Sequence, residues 1–181
     1  VIGILLAATV VAIAFGVSRG GEAATTIPGP DDLAANEPGV PANSDRAPTF
    51  VLETLDGETF DLGRHFAEDG RPVFLNLWAS WCPPCRSEMP AIQEASLRHP
   101  EVLFVGVAVQ DKAADSSAFV SEIGATYTIA VDDGTVADAY PVLALPTSFY
   151  IDGDGVIVKR HFGLVTGDLI DSDLAALFGT G

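Results

Sequence analysis

Hydrophobic and polar positions divide the chain into three regimes. Val1 to Val17 is an apolar run without a charge, Gly20 to Ala47 holds almost no large apolar residue, and from Pro48 apolar clusters recur at short intervals. In the third regime, Thr49-Phe50-Val51-Leu52-Glu53 and Glu58-Thr59-Phe60-Asp61 flank Asp56-Gly57, the pattern of a β-hairpin. Leu62 to Phe66 predicts a short helical turn. The continuous runs Val73–Ala79 and Val102–Val109 predict buried strands, with a helical segment from Arg86 to Arg98 between them. Asp115 is the expected cap of a short helix carrying Phe119, Val120 and Ile123, stopped by Gly124. Thr128–Val131 reads as a minor strand and Val136–Tyr140 as a short helix. Thr147–Ile151 and Val156–His161 form a second hairpin around Asp152-Gly153-Asp154-Gly155. Thr166 caps a final helix whose Leu169, Ile170, Leu174, Leu177 and Phe178 make one stripe. Strands alternating with helices before a closing hairpin and helix imply a small α/β sheet covered on both faces. The domain runs from Ala47 to Gly181, about 135 residues, ample for one core.

The opening run reads as a membrane segment. At ~1.5 Å per residue it spans roughly 26 Å, slightly short of the ~30 Å hydrocarbon core. The chain begins with Val rather than Met, so a start carrying basic and further apolar residues is expected before it. An uncleaved anchor and a signal peptide compete for this stretch. The run exceeds a usual signal core and no small-x-small site follows it cleanly, which favours an anchor over residues 1–18. No cysteine follows the run, so a lipid-modified N-terminus is not supported. Residues 19–46, with Pro28, Pro30, Pro38 and Pro41, form a flexible, partly extended tether.

Charge narrows the partners. The formal net charge is −16 and the lysines are Lys112 and Lys159 alone, which argues against nucleic acid or an anionic membrane surface. The chemistry rests on Trp81-Cys82-Pro83-Pro84-Cys85, which contains both cysteines of the chain. Cys82 falls at a strand-to-helix corner, facing free backbone N–H groups and the positive end of a helix dipole, both of which favour thiolate. Pro83 and Pro84 suit a first helical turn, where an N–H donor is dispensable. Two residues between the cysteines let one attack a disulfide and the other resolve the mixed disulfide. A zinc site would need two more ligands, and neither a second Cys pair nor a His-x3–5-His pattern exists. Two inert core cysteines fit poorly with Pro-Pro between them.

The stretch Asn76-Leu77-Trp78-Ala79-Ser80-Trp81-Cys82-Pro83-Pro84-Cys85-Arg86-Ser87-Glu88-Met89-Pro90 resembles the active-site signature of TlpA/ResA-type thiol–disulfide oxidoreductases. Ala47-Pro48-Thr49-Phe50 with Leu55-Asp56-Gly57 is similar to the hairpin that this group adds to the thioredoxin core. The resemblance runs from about Ala47 to the last helix. It implies a thioredoxin-like three-layer fold with an added N-terminal β-hairpin, tethered outside the cytoplasm by a single membrane helix. It further implies that Leu145-Pro146-Thr147 is the cis-proline loop beside the cysteines, offering backbone to an extended substrate chain. Trp81, Pro83 and Pro84 are then expected to wall the substrate groove, Trp78 to pack in the core, and Pro90 to kink the helix.

One departure concerns proton transfer. Thioredoxins carry a buried Asp six residues before the first cysteine, and here that position is Asn76, an amide that cannot take the Cys85 proton. The resemblance places the acidic group of ResA-like proteins at Asp111, expected as a buried carboxyl with a raised pKa that relays the proton. Glu88 reads as surface charge. His65, His99 and His161 are scattered and expected at surface or strand positions. A copper-chaperone spacing is absent. A peroxiredoxin pattern fails, because Leu75 and Ala79 occupy its Pro and Thr/Ser places. No Gly-rich turn supports flavin or nicotinamide, so the redox group is the Cys82–Cys85 pair and no cofactor is expected. The expected enzyme is a monomer acting on protein thiols, recharged by a membrane thiol carrier. Apocytochrome c, with its Cys-x-x-Cys-His, is the leading substrate. General disulfide exchange and a non-catalytic metal-binding or interaction module stand as alternatives.

Overall fold

All six side chains of the strand Val73–Trp78 (β3) are buried, and the rest of the domain is laid out around it. The computed structural model describes residues 46–140 and 142–180. The expected anchor, and the linker up to residue 45, lie outside the described residues. Among the described residues no helix is long and apolar enough to cross a membrane.

A thioredoxin-like α/β fold with a mixed sheet results. An N-terminal hairpin pairs β1 (Val51–Glu53) with β2 (Thr59–Asp61), antiparallel, around Asp56-Gly57, where Gly57 supplies a φ of +86°. Asp61 then caps α1 (Leu62–Glu68), accepting from the Arg64 N–H, so the expected turn is a seven-residue helix. After β3 come α2 (Pro83–Arg98), β4 (Leu103–Ala108), α3 (Ala113–Ile123), β5 (Thr128–Val131), α4 (Thr135–Ala139), β6 (Thr147–Ile151), β7 (Ile157–Phe162) and α5 (Gly167–Phe178). The five-stranded sheet has the order β5-β4-β3-β6-β7, with β3, β4 and β5 parallel and β6 and β7 antiparallel to their neighbours.

Alternation along the strands sorts the core into two faces. Val73, Leu75 and Leu77, with Val105, Val107, Phe149 and Ile151, pack against Leu62, Val136, Tyr140 and the hairpin residues Phe50 and Leu52. Phe74, Phe104 and Tyr150 face Ile92 of α2 and Ile170 and Leu174 of α5. Each such side chain fully buried contributes about 1.5–3 kcal/mol relative to exposure, so both faces are strongly specified. The hairpin also covers the open edge of β5: Thr54 bridges Ala130, and the Leu55 N–H donates to the Ile129 carbonyl at 2.9 Å.

On the α2 face, one row of residues crosses the sheet in register: Ile129, Gly106, Asn76, Ser148 and His161. Two polar residues at its centre, Asn76 and Ser148, are fully buried. Gly106 is demanded by packing. A Cβ there would lie 2.8 Å from Ile129 Cδ1, 3.1 Å from Trp78 Nε1 and 3.2 Å from Tyr127 Cε2. Glycine therefore lets an indole and a phenol ring close directly over the β4 backbone. Gly106→Ala is expected to cost about 1–3 kcal/mol through overpacking. Urea unfolding should show a lower midpoint at unchanged slope, and an unaltered midpoint would contradict this account of the row.

Candidate active site

Cys82 ends the β3–α2 turn as the N-cap of α2, with extended backbone (φ −92°, ψ 108°), and Pro83 and Pro84 occupy the first turn as their missing donors allow. The helix begins at Pro83, with the two prolines in the first turn expected for them and the cysteine itself as the cap. Cys82 Sγ accepts from the Cys85 N–H at 3.3 Å, so the helix N-terminus points at the sulfur where a thiolate would form. Cys82 and Cys85 form a disulfide with S–S 2.08 Å. Among the described residues no cluster of His, Cys, Asp or Glu is arranged to hold a metal ion.

A cleft of about 430 Å³ opens beside Cys82, lined by Trp81, Pro83, Pro84, Val109, Gln110, Ala137, Val142, Ala144 and Leu145. Apart from Gln110 this wall is apolar. Trp81 is 59% exposed, and its Nε1–H donates to the Gln110 carbonyl at 3.1 Å, which holds the indole as one side of the cleft. Gln110 has a φ of +52°, an uncommon conformation for a residue with a side chain, directly at the site. The Leu145–Pro146 bond is cis. Of that loop, Leu145 lines the cleft, whereas Pro146 and Thr147 are buried. The Thr147 hydroxyl donates inward to the Ala144 carbonyl at 2.7 Å, and the Pro146 carbonyl accepts from the Gly163 N–H at 2.9 Å. Pro90 lies exposed inside α2, and Trp78 is buried against Phe119.

Asp111 does not have the environment expected for it. Its carboxylate accepts from the Ser80 N–H (2.6 Å), the Ser80 hydroxyl (2.9 Å), the Lys112 N–H (2.8 Å) and the Ser116 hydroxyl (2.9 Å). Burial alone would raise its pKa, but these donors hold it below the usual carboxylate range. Asp111 thus ties the β3–α2 turn to the start of α3. The capping expected of Asp115 is not seen: α3 begins at Ala113 after Lys112, has no side-chain cap, and carries Asp115 in its first turn.

The carboxyl with the expected properties is Glu88, although its place in the sequence suggests surface charge. It is 1% exposed. One oxygen accepts from Asn76 Nδ2 at 2.9 Å and the other from the Val165 N–H at 2.8 Å. Hydrogen bonds to a charged group are worth about 1.5–3 kcal/mol each, whereas burying a carboxylate costs several kcal/mol. Desolvation wins, and the Glu88 pKa is raised from 4.5 to about 7. Glu88 lies one turn after Cys85 on the same inward face of α2, and Cys85 is fully buried. The sequence carried a signal for it: Cys85, Glu88, Met89 and Ile92 follow the i, i+3, i+4, i+7 rule of a buried stripe. Asn76, unable to carry the proton, instead orients the group that can, and passes a second N–H to Ser148 Oγ at 3.1 Å. His65, also expected outside the core, is buried in α1 with Nε2 2.9 Å from the Arg71 carbonyl oxygen.

Comparison with known proteins agrees with this geometry. Residues 44–160 match the AhpC/TSA family. The thiol-disulfide oxidoreductase ResA of Halalkalibacterium halodurans is 35% identical over 130 residues, 70% of this chain and 72% of that one. The thioredoxin-like protein YneN of Bacillus subtilis is 37% identical over 126 residues, covering 67% and 72%. Among solved structures, a secreted Mycobacterium tuberculosis disulfide oxidoreductase homologous to E. coli DsbE superposes with TM-score 0.62 at 30% identity, covering 71% of this chain and 96% of that one. A thioredoxin-family thiol:disulfide interchange protein of Chlorobium tepidum gives TM-score 0.66 at 26% identity, covering 72% and 94%. With a Cys-x-x-Cys disulfide capping α2 beside a cis-proline loop, the chain belongs to the AhpC/TSA family and is a thioredoxin-fold thiol–disulfide oxidoreductase of the ResA type.

Proposed function

We propose that this chain reduces disulfides of extended polypeptides outside the cytoplasm, its principal substrate being the Cys-x-x-Cys-His segment of apocytochrome c. The observation that carries the reading is the division of labour along α2. Cys82 caps the helix at an apolar cleft, while Cys85 and a carboxyl of pKa about 7 sit behind it in the core. The names of the ResA relatives support thiol–disulfide exchange as the reaction. The apolar run at residues 1–17 supports a single-pass tether to the membrane, the catalytic domain lying on the extracytoplasmic side. A membrane thiol carrier is the proposed electron donor, and the domain acts as a monomer.

The cycle conserves atoms and electrons. A donor dithiol reduces Cys82–Cys85 and is itself oxidised to a disulfide. The Cys82 thiolate attacks one substrate sulfur, and the other substrate sulfur leaves as a thiolate that takes a proton from solvent. Cys85 then passes its thiol proton to the Glu88 carboxylate, and its thiolate attacks Cys82 Sγ. The substrate is released with both sulfurs reduced, and the Cys82–Cys85 disulfide re-forms. A Glu88 pKa near operating pH is the condition under which that carboxyl both accepts and returns a proton readily.

Redox titration of the domain against glutathione or dithiothreitol, followed by exchange with an oxidised Cys-x-x-Cys-His peptide, tests the direction. A potential well below that of glutathione and rapid peptide reduction are expected. A strongly oxidising potential, with dithiol peptides becoming oxidised, would overturn the reading in favour of an oxidase. In the reduced protein iodoacetamide should alkylate Cys82 first, and Cys85→Ser should accumulate mixed disulfides with substrate. Preferential alkylation of Cys85 would reverse the two roles.

Glu88→Gln is expected to slow resolution of the mixed disulfide roughly 10²-fold, the lower end for loss of a proton-transfer group. Asp111→Asn should leave the pH profile of that step in place. Stability offers an independent check. The folded-state pKa of Glu88 lies above its unfolded value of 4.5, so its stabilising contribution is complete below pH 4.5 and is lost as pH rises through about 7. Urea unfolding of the oxidised protein should show wild type losing up to about 3 kcal/mol relative to Glu88→Gln between pH 5 and pH 8.5. Parallel curves for the two proteins would mean that Glu88 ionises as it does in water.

A further inference from the structure

Glu88 is sealed from solvent, yet the proposed cycle requires it to gain and lose a proton. Besides the Tyr150 hydroxyl, three buried polar atoms around it have no hydrogen-bond partner in the protein: Asn76 Oδ1, Trp78 Nε1 and the Tyr127 hydroxyl. Native interiors rarely leave such atoms bare, and ordered water is the usual partner. They also converge. Asn76 holds Glu88 through its other amide atom at 2.9 Å. Trp78 Nε1 and the Tyr127 ring both come within 3.2 Å of the point where a Gly106 side chain would begin, and Gly106 is the register partner of Asn76.

Tyr127 has a further property. Its hydroxyl is buried, but the residue is half-buried and lines two surface clefts, one with Thr54 and Ser121 and one with Leu97 and Pro100. Tyr127 therefore spans from these clefts to the interior, with its hydroxyl at the inner end. Burial raises the phenol pKa, and the Glu88 charge raises it further, which places the two groups within electrostatic reach of each other. The phenol therefore stays protonated, so a proton could pass it only by rotation of its O–H, not by its ionisation.

The groups that face Glu88 offer one other route, through Tyr150. They are Cys85 on its own helix, Asn76 from β3, Ser148 and Tyr150 from β6, and the Val165 backbone. Beyond Tyr150 lie Asp173 and Lys159, which are engaged with each other at 2.6 Å.

We propose that the Tyr127 hydroxyl, Trp78 Nε1 and Asn76 Oδ1 hold ordered water, and that this water, passing protons past Tyr127, connects Glu88 to solvent. Tyr127 is then a positioning residue of the exchange cycle. The inference rests on the role given to Glu88 above. In each turnover Glu88 takes the Cys85 proton and returns it through Tyr127 and water, with no net redox change in the path.

The test follows the Glu88 proton directly. After a jump from about pH 5 to about pH 8, either side of the Glu88 value of about 7, the carboxyl infrared band of the oxidised protein reports its deprotonation. The band is assigned by its loss in Glu88→Gln. Tyr127→Phe, which keeps the ring, should slow that deprotonation about tenfold, short of the ~10²–10⁴-fold seen when a group that itself takes the proton is removed. The pKa of the band should stay nearly in place. In ¹⁵N-labelled protein, the Trp78 indole N–H should also show a cross-relaxation peak with water, identified by its loss in Trp78→Phe. An unchanged deprotonation rate in Tyr127→Phe, or no water peak at Trp78, overturns the inference while leaving Glu88 its role. Absence of any titrating band assignable to Glu88 overturns instead the proton chemistry of the proposed function.

Discussion

Burying one carboxyl between a helix and the centre of a sheet constrains most of this structure. Glu88 joins three parts of the fold: α2, which carries it; β3, through Asn76; and the loop before α5, through the Val165 N–H. The helix cannot rotate without stripping the carboxyl of its donors, and a bare carboxylate in the interior costs several kcal/mol. That fixes the inward face of α2, and Cys85 lies on that face one turn earlier. Cys82 is consequently held at the helix start, over free N–H groups and beside the cleft. Packing sets the position of the helix, and the polar contacts of Glu88 set its rotation.

The two carboxylates near the disulfide show how burial and donors are weighed against each other. Asp111 is partly exposed and has four donors, so its charge is stabilised and it serves as a clamp between two loops. Glu88 is sealed with two donors, so its charge is penalised and it titrates near neutrality. Both are acids within a few residues of a strand or cysteine that matters. Only the number of donors and the access of water separate a structural anion from a proton carrier.

Around the cleft, the same economy of polar groups operates in reverse. Trp81, Pro83, Pro84, Val142 and Leu145 offer apolar contact, and the Trp81 N–H is turned away to the Gln110 carbonyl. Such a surface presents no charged side chain to a molecule lying beside Cys82. The cis Leu145–Pro146 bond and the positive-φ residue Gln110 lie along the same cleft. The inner side of the sulfurs carries a buried carboxyl and the outer side an apolar cleft.

Much of this was legible in the residues themselves. Continuous apolar runs and turn dipeptides located the described strands, because run length and tight-turn chemistry are local properties. The Cys-Pro-Pro-Cys corner placed the redox pair, since a strand end, a cap and two first-turn prolines are all read within a few positions. Local pattern failed where a residue's partner is distant in sequence. Glu88 meets Val165, which is 77 residues away, and the register of Asn76 with Gly106 and Ser148 comes from strand pairing. Asp111 likewise finds Ser80 31 residues back, which turned an expected proton carrier into a loop clamp. The sequence by itself determined the fold class, the cysteines and the cleft-lining Trp81 and Pro-Pro pair. Only the tertiary structure decided which acid titrates, because desolvation depends on what the folded chain brings around a side chain.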